Sequence, residues 1–159
     1  PGILLALAVM IVVGANKVGL ILALGLAYIP SVVRVVRGTV LSIREKEYVE
    51  ASRVIGNSEV YSMIRHVMPN AIAPVAVLAT SMFGWVLLAE SALSFLGLGV
   101  PPPAPTWGNM LAASRPFMET AAWLSIAPGL CIALTLLGIN LLGDSLRDRL
   151  DPRSRGARL

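Results

Sequence analysis

The chain has 159 residues, of which 56% are hydrophobic and only 14% charged, and a net charge of +4. That is far more apolar than an ordinary soluble domain. The cations flank apolar runs instead of gathering on one face, which argues against a nucleic-acid partner.

Residues 1–13, PGILLALAVMIVV, form the first apolar run. It is too short to span a bilayer by itself. Because the chain begins with Pro1, the run is read as a transmembrane helix cut by truncation, in a C-terminal fragment of a longer protein. A secretory signal would need a basic region before the run and a small-residue cleavage site after it, and neither is present.

Residues 18–36 form the second run, with no charge between 18 and 33. A helix of about 20 apolar residues crosses about 30 Å of hydrocarbon, so 18–36 is predicted to be a transmembrane helix. Residues 70–89 and 121–143 are predicted to be two more. Pro30, Pro74 and Pro128-Gly129 interrupt these runs. Proline removes a helix hydrogen bond and can kink the helix, so these positions are either packing irregularities or hinges along a pathway.

Between the second and third runs lies a polar module, 43–68. Ten charges from Arg34 to Arg65 keep this region out of hydrocarbon, since each would cost roughly 2.5–3.5 kcal/mol at the bilayer centre. Ser42 followed by Glu45 fits a capping box, which predicts a helix over 43–55 starting at Ile43. Tyr48, Ala51, Ser52 and Ile55 share one face of that helix. Gly56 ends it in the left-handed conformation, and Asn57 or Ser58 caps a second helix. Val60, Tyr61, Ile64, Val67 and Met68 make the second helix's apolar stripe. Pro69 stops that helix or opens the next. An ordinary surface loop with two interfacial helices has the same pattern.

Thr80, Ser81 and Asn140 are polar groups within the later runs and could bond between helices. No Asp, Glu, Lys or Arg lies deep within a run, which argues against an ion-coupled transporter. The segment 90–120 is predicted to be a loop between spans. Its residues 91–100 suit a re-entrant or interfacial piece, and VPPPAP is a stiff extended break. Thr106 is predicted to cap a short helix whose face includes Trp107, Met110, Leu111, Ser114 and Phe117. Trp107 and Trp123 suit interfacial anchors. The loop reads either as a docking platform or as a lid over the helices. Cys131 has no partner cysteine and reads as a small apolar packing residue.

Residues 144–159 form a tail in which Asp144, Arg147, Asp148, Arg149 and Asp151 alternate in sign, so pairs at helical spacing are possible. The cations set the topology. The segment 34–66 holds six basic residues, and the tail holds five, Arg147, Arg149, Arg153, Arg155 and Arg158. The loop 90–120 holds only Arg115, and the turn near 14–19 only Lys17. By the positive-inside rule the module and the C-terminus are cytoplasmic, and the two poorer loops are outside.

Glu50-Ala51-Ser52, then Gly56, then Met68-Pro69 has the spacing of the EAA motif of ABC importer permeases. Ser52 stands where that motif has its second Ala, His66 at its Ile and Met68 at its Leu. The pair Arg65-His66 ahead of Met68-Pro69-Asn70 resembles the peptide branch. ESALSFLGLGVPPPAPTWGNML (90–111) resembles the outer loop of dipeptide, oligopeptide and nickel permeases, and NLLGDSLRDRLDPR (140–153) their C-terminal end. The resemblance covers essentially the whole chain.

The resemblance implies an all-α polytopic membrane protein, a type I ABC importer permease bundle with cytoplasmic coupling helices, in a bacterial or archaeal plasma (inner) membrane. It implies a second homologous permease subunit, two ATP-binding cassette ATPase subunits and an extracytoplasmic substrate-binding protein as partners, besides the lipid bilayer. ATP is used by the ATPases, and no cofactor or metal is expected on this chain. The helix 43–55 is then a lever seated in the ATPase, with Tyr48 and Ile55 on its face. Glu50 is expected to meet a basic or polar group there. Ala51 and Ser52 allow close approach, and Gly56 sets the angle to the second helix. His66 reads as an interfacial helix residue. Peptides are the expected cargo, with nickel, glutathione or another small solute as alternatives. A non-transport membrane scaffold is the reading from another class. No catalytic residue is expected, because no HExxH, nucleophile elbow or P-loop is present.

Overall fold

The long apolar runs fold as helices, as they must where no water satisfies the backbone. The computed structural model describes residues 2–150; the expected tail cations Arg153, Arg155 and Arg158 lie outside the described residues. The elements are α1 (Gly2–Val13), α2 (Lys17–Arg44), α3 (Glu47–Val54), α4 (Glu59–Ser62), a π turn (Met63–Val67), α5 (Met68–Phe95), α6 (Trp107–Ser114), a 3-10 turn (Arg115–Phe117) and α7 (Trp123–Leu150). There is no strand among the described residues. Three helical stretches are long and apolar enough to cross a membrane: Lys17–Arg44, Glu59–Phe95 and Trp123–Leu150.

The helices are longer than the apolar runs that announce them. α2 continues past residue 36 to Arg44, so Ser42 lies inside it. The predicted helix start at Ile43 is therefore corrected. No proline lies between Arg37 and Arg44, the helix runs on through Gly38, and Ser42 joins the ladder already running instead of capping a new one. The break comes at Glu45-Lys46, where the Lys46 N–H donates to the Ile43 carbonyl at 3.1 Å. Likewise α5 runs on through Phe95, so the first residues of 91–100 extend a helix and do not begin a re-entrant piece. Pro30, Pro74 and Pro128 are all accommodated within helices.

The chain divides into two units, one of residues 1–30 and 82–140, the other of 31–81 and 141–159. In the first, Leu20, Ala23, Leu24 and Ala27 form a stripe on α2 that is buried together with Ala6 and Met10 of α1 and Ala89 and Leu93 of α5. Their spacing of three and four residues is that of one helix face. The alanines let the helix backbones approach closely. In the second unit Ile43, Val49, Val67 and Ala71 form a small core with Val40 and Met63 packed against it. Gly143 also comes so near Thr80 there that a Cβ would lie 2.5 Å from its hydroxyl oxygen. Thr80 and Ser81 donate to the Val77 carbonyl of their own helix, at 2.7 and 3.4 Å, and do not bridge between helices as anticipated. Cys131 is exposed on α7.

Candidate functional site: the polar module and its serine seam

The module's first helix is α3, eight residues long, with Glu47 and Glu50 in its first turn. Acidic side chains there complement the positive end of the helix dipole. No side chain caps it, since its N-cap residue is Lys46. The helix closes in a Schellman motif, the six-to-one and five-to-two pattern of a left-handed cap. The Asn57 N–H donates to the Ser52 carbonyl at 3.2 Å, and the Gly56 N–H to the Arg53 carbonyl at 2.9 Å. Gly56 has φ of +89°, a conformation that glycine alone adopts at low cost. Ser58 then caps α4, its hydroxyl accepting from the Tyr61 N–H at 3.2 Å. Gly56 and Ser58 thus perform the parts their residue types suggest.

Pro69 has no N–H to donate, and its ring crowds the carbonyl four residues back. The helix passes it with the π turn Met63–Val67, in which the Met68 N–H donates to the Met63 carbonyl. Such turns relieve a mismatch without ending a helix. Pro69 therefore opens α5 in a helix continuous from Glu59 to Phe95. The Asn70 amide donates to the His66 carbonyl at 2.6 Å. The His66 ring lies edge-on to both Tyr48 and Tyr61, with centroids 6.2 and 6.1 Å away.

Of the four residues expected to share one face of the first helix, only Ser52 is buried. Val49 and Ser52 are buried, while Tyr48, Glu50, Ala51, Val54 and Ile55 are exposed. Ser52 is 4% exposed and Ser62, opposite it on α4, is 2% exposed. Their hydroxyls lie 3.0 Å apart, and the Asn57 side-chain amide donates to Ser52 Oγ at 3.1 Å. Ser52 therefore ties α3 to α4 through buried hydrogen bonds. The anticipated stripe Val60, Tyr61, Ile64 and Met68 is mostly outward, and only Val67 is buried. Two long, exposed ion pairs, Arg44–Glu59 and Arg53–Glu59, each 3.9 Å, brace the module; pairs of that kind contribute little.

The result is a compact helical turn with a buried serine seam beside a small apolar core, and an exterior that mixes charged and apolar side chains. Val54 and Ile55 are 81% and 78% exposed beside Glu50. Clustered exposed apolar side chains with charges at their border mark an interaction surface. Ser62 and Val49 are not among the residues the sequence singles out, and Asn57 stands there only as a candidate helix cap. Their roles depend on which face of α3 meets α4, although a serine ten residues from Ser52, across a glycine turn, is a detectable signal.

In the first unit the predicted Thr106 cap is formed, with its Oγ1 accepting from the Asn109 N–H at 3.1 Å. The α5 end repeats the Schellman pattern at Gly97, whose φ is +80°. Trp107 and Met110 of α6, Lys17 and Leu20 of α2, and Glu90 of α5 line a cavity of about 450 Å³. No group of three or more metal-ligating side chains occurs among the described residues.

Residues 1–156 match the family model described as "Binding-protein-dependent transport system inner membrane component". A putative peptide transport system permease of Brucella suis is 44% identical over 96% of this chain and 52% of its own length. A di/tripeptide transport system permease of Pseudomonas aeruginosa is 43% identical over 99% of this chain and 52% of its own. A glutathione transport system permease of Escherichia coli is 42% identical over 98% and 52%. The chain spans about half the length of the curated relatives it matches. The chain belongs to the family of binding-protein-dependent transport inner membrane components, the permeases of ABC transporters.

Proposed function

We propose that this chain is part of a permease subunit in an ATP-driven, binding-protein-dependent importer of di- or oligopeptides. It works beside a second homologous permease, two ATPase subunits and an extracytoplasmic binding protein. Hydrolysis occurs on the ATPases, and this chain carries no catalytic residue. The distribution of cations supports an orientation with 43–68 and the C-terminus in the cytoplasm.

The observation that carries the reading is the exposed apolar surface of the polar module beside Glu50. Its polar hydroxyls are buried, and Tyr48, Val54 and Ile55 stand outward around Glu50 and the small Ala51. A short helix locked by a Schellman turn and a buried hydroxyl pair moves as one body. Seated in an ATPase cleft, it passes a displacement to α2 and α5, from which it emerges. A contact made in only one of two conformations is enough to bias an alternating-access equilibrium.

Glutathione is the second cargo reading, favoured by the 42% identity to a glutathione permease. The test is uptake in a strain lacking the full-length permease and carrying it on a plasmid. Labelled dipeptide, glutathione and nickel are offered in parallel, and ATPase subunits are sought by co-purification. Dipeptide uptake restored by the plasmid supports the reading. Failure to recover an ATPase overturns it in favour of a scaffold.

A further inference from the structure

Glu90 is the single acidic residue of α5, immediately after the apolar run 70–89. It is half-buried, and two serines of its own helix orient it. Ser94 Oγ donates to Oε1 at 2.7 Å, and Ser91 Oγ approaches Oε2 at 3.4 Å. Both serines are buried. Glycines press on them from outside: a Cβ on Gly108 would lie 2.6 Å from Ser94 Cβ, and one on Gly99 would collide with Ser94 Oγ. The carboxylate is thus held from behind by packing that leaves no slack.

In front of Glu90 is the cavity of about 450 Å³, within the size range of small-ligand sites. Its walls are mostly apolar, with Leu20, Trp107 and Met110 among them, and Lys17 lines the same space. Lys17 and Glu90 form no ion pair among the described residues. A mostly apolar cavity is therefore bordered by one acidic and one basic residue that are not paired with each other.

We infer that this cavity binds a short zwitterionic peptide, with its free α-ammonium at Glu90 beside the Trp107 ring and its carboxylate at Lys17. A cation on a tryptophan face gains further attraction. Ionic hydrogen bonds to the carboxylate discriminate against a blocked amine. The inference rests on the peptide-import reading above and names a substrate contact for it. It also suits glutathione, which carries an α-ammonium and carboxylates, and does not suit a bare metal ion.

The test uses the complete importer, with both full-length permeases and the ATPases, purified without its binding protein. Labelled Ala-Ala is titrated, with N-acetyl-Ala-Ala and Ala-Ala amide as competitors. Unlabelled Ala-Ala is expected to compete at least about tenfold better than the N-acetylated form, the equivalent of one ionic hydrogen bond. Glu90→Gln, which keeps the side chain's shape, abolishes that preference. Lys17→Met, at an exposed position, abolishes the preference over the amide. Equal competition by the blocked peptides against the unmodified importer overturns the inference, as does unchanged discrimination in both variants. If Glu90→Gln does not assemble, the wild-type competition and Lys17→Met decide alone. Peptide uptake by the complete system with its binding protein is measured separately. Its absence overturns the import reading, whereas uptake without discrimination at the cavity overturns only this inference.

Discussion

Ser52 Oγ and Ser62 Oγ lie 3.0 Å apart, both buried, and join the two short helices of the polar module across the Gly56 turn. A buried hydroxyl left without a partner costs about 1–3 kcal/mol, whereas a pair removed together costs much less. Ser52→Ala and Ser62→Ala should therefore each destabilise the protein by about 1 kcal/mol. The double variant should lose less than the sum, with a coupling on the order of 0.5–1.5 kcal/mol. Denaturant titration of the purified permease measures this, and strict additivity would show that the two hydroxyls act independently.

Gly56 sits at φ +89°, and a Cβ added there would meet nothing within 4 Å, so space is not the constraint. The cost of a side chain at Gly56 is conformational, roughly 1–2 kcal/mol. Gly56→Ala should show that cost alone, by thermal unfolding. Gly56→Asp should in addition reduce transport while the protein still reaches the membrane, because the angle between α3 and α4 is no longer held. Full uptake by well-expressed Gly56→Asp would mean that the turn does not transmit motion.

Glu50 is exposed in the first turn of α3 and takes no part in the module's ion pairs. Reversing its charge should change stability by no more than about 0.5–1 kcal/mol, a surface and helix-dipole effect. Transport is a different matter if Glu50 meets a partner. Glu50→Lys should lower uptake at least about tenfold, the loss expected for one charge-assisted contact. Immunoblots of membrane fractions beside uptake rates separate the two effects, and wild-type uptake at normal abundance would remove Glu50 from the interface.

Gly108 approaches α5 so closely that a Cβ would lie 2.5 Å from the Ser91 carbonyl oxygen and 2.6 Å from Ser94 Cβ. Those neighbours are backbone and short side chain, with no flexible end to swing away. Gly108→Ala should cost about 1–3 kcal/mol by overpacking. Gly25→Ala, at a helical position with no atom within 4 Å, should be neutral or stabilising by up to about 1 kcal/mol. Parallel melting curves compare them, and equal melting temperatures would contradict the packing described between α5 and α6.

Much of this protein is written in local chain properties. Runs of apolar residues long enough to cross a bilayer must be helical there, because lipid satisfies no backbone polar group. Gly56 supplies a left-handed cap, and Ser58 and Thr106 cap the helices that follow them, because each acts on neighbours within a few residues. The tertiary structure decided which side of each helix is inside. A hydrophobic stripe marks a face to be covered, and either this chain's own core or a partner can cover it. Here Val54, Ile55 and Val60 lie outward, while Val49 and Val67 are buried beside Ser52 and Ser62, so apolar residues occupy both faces. The same applies to Glu90. Its serine partners are on its own helix, but only the fold brings Lys17, Trp107 and a cavity to its front, from parts of the chain whose meeting no local pattern encodes.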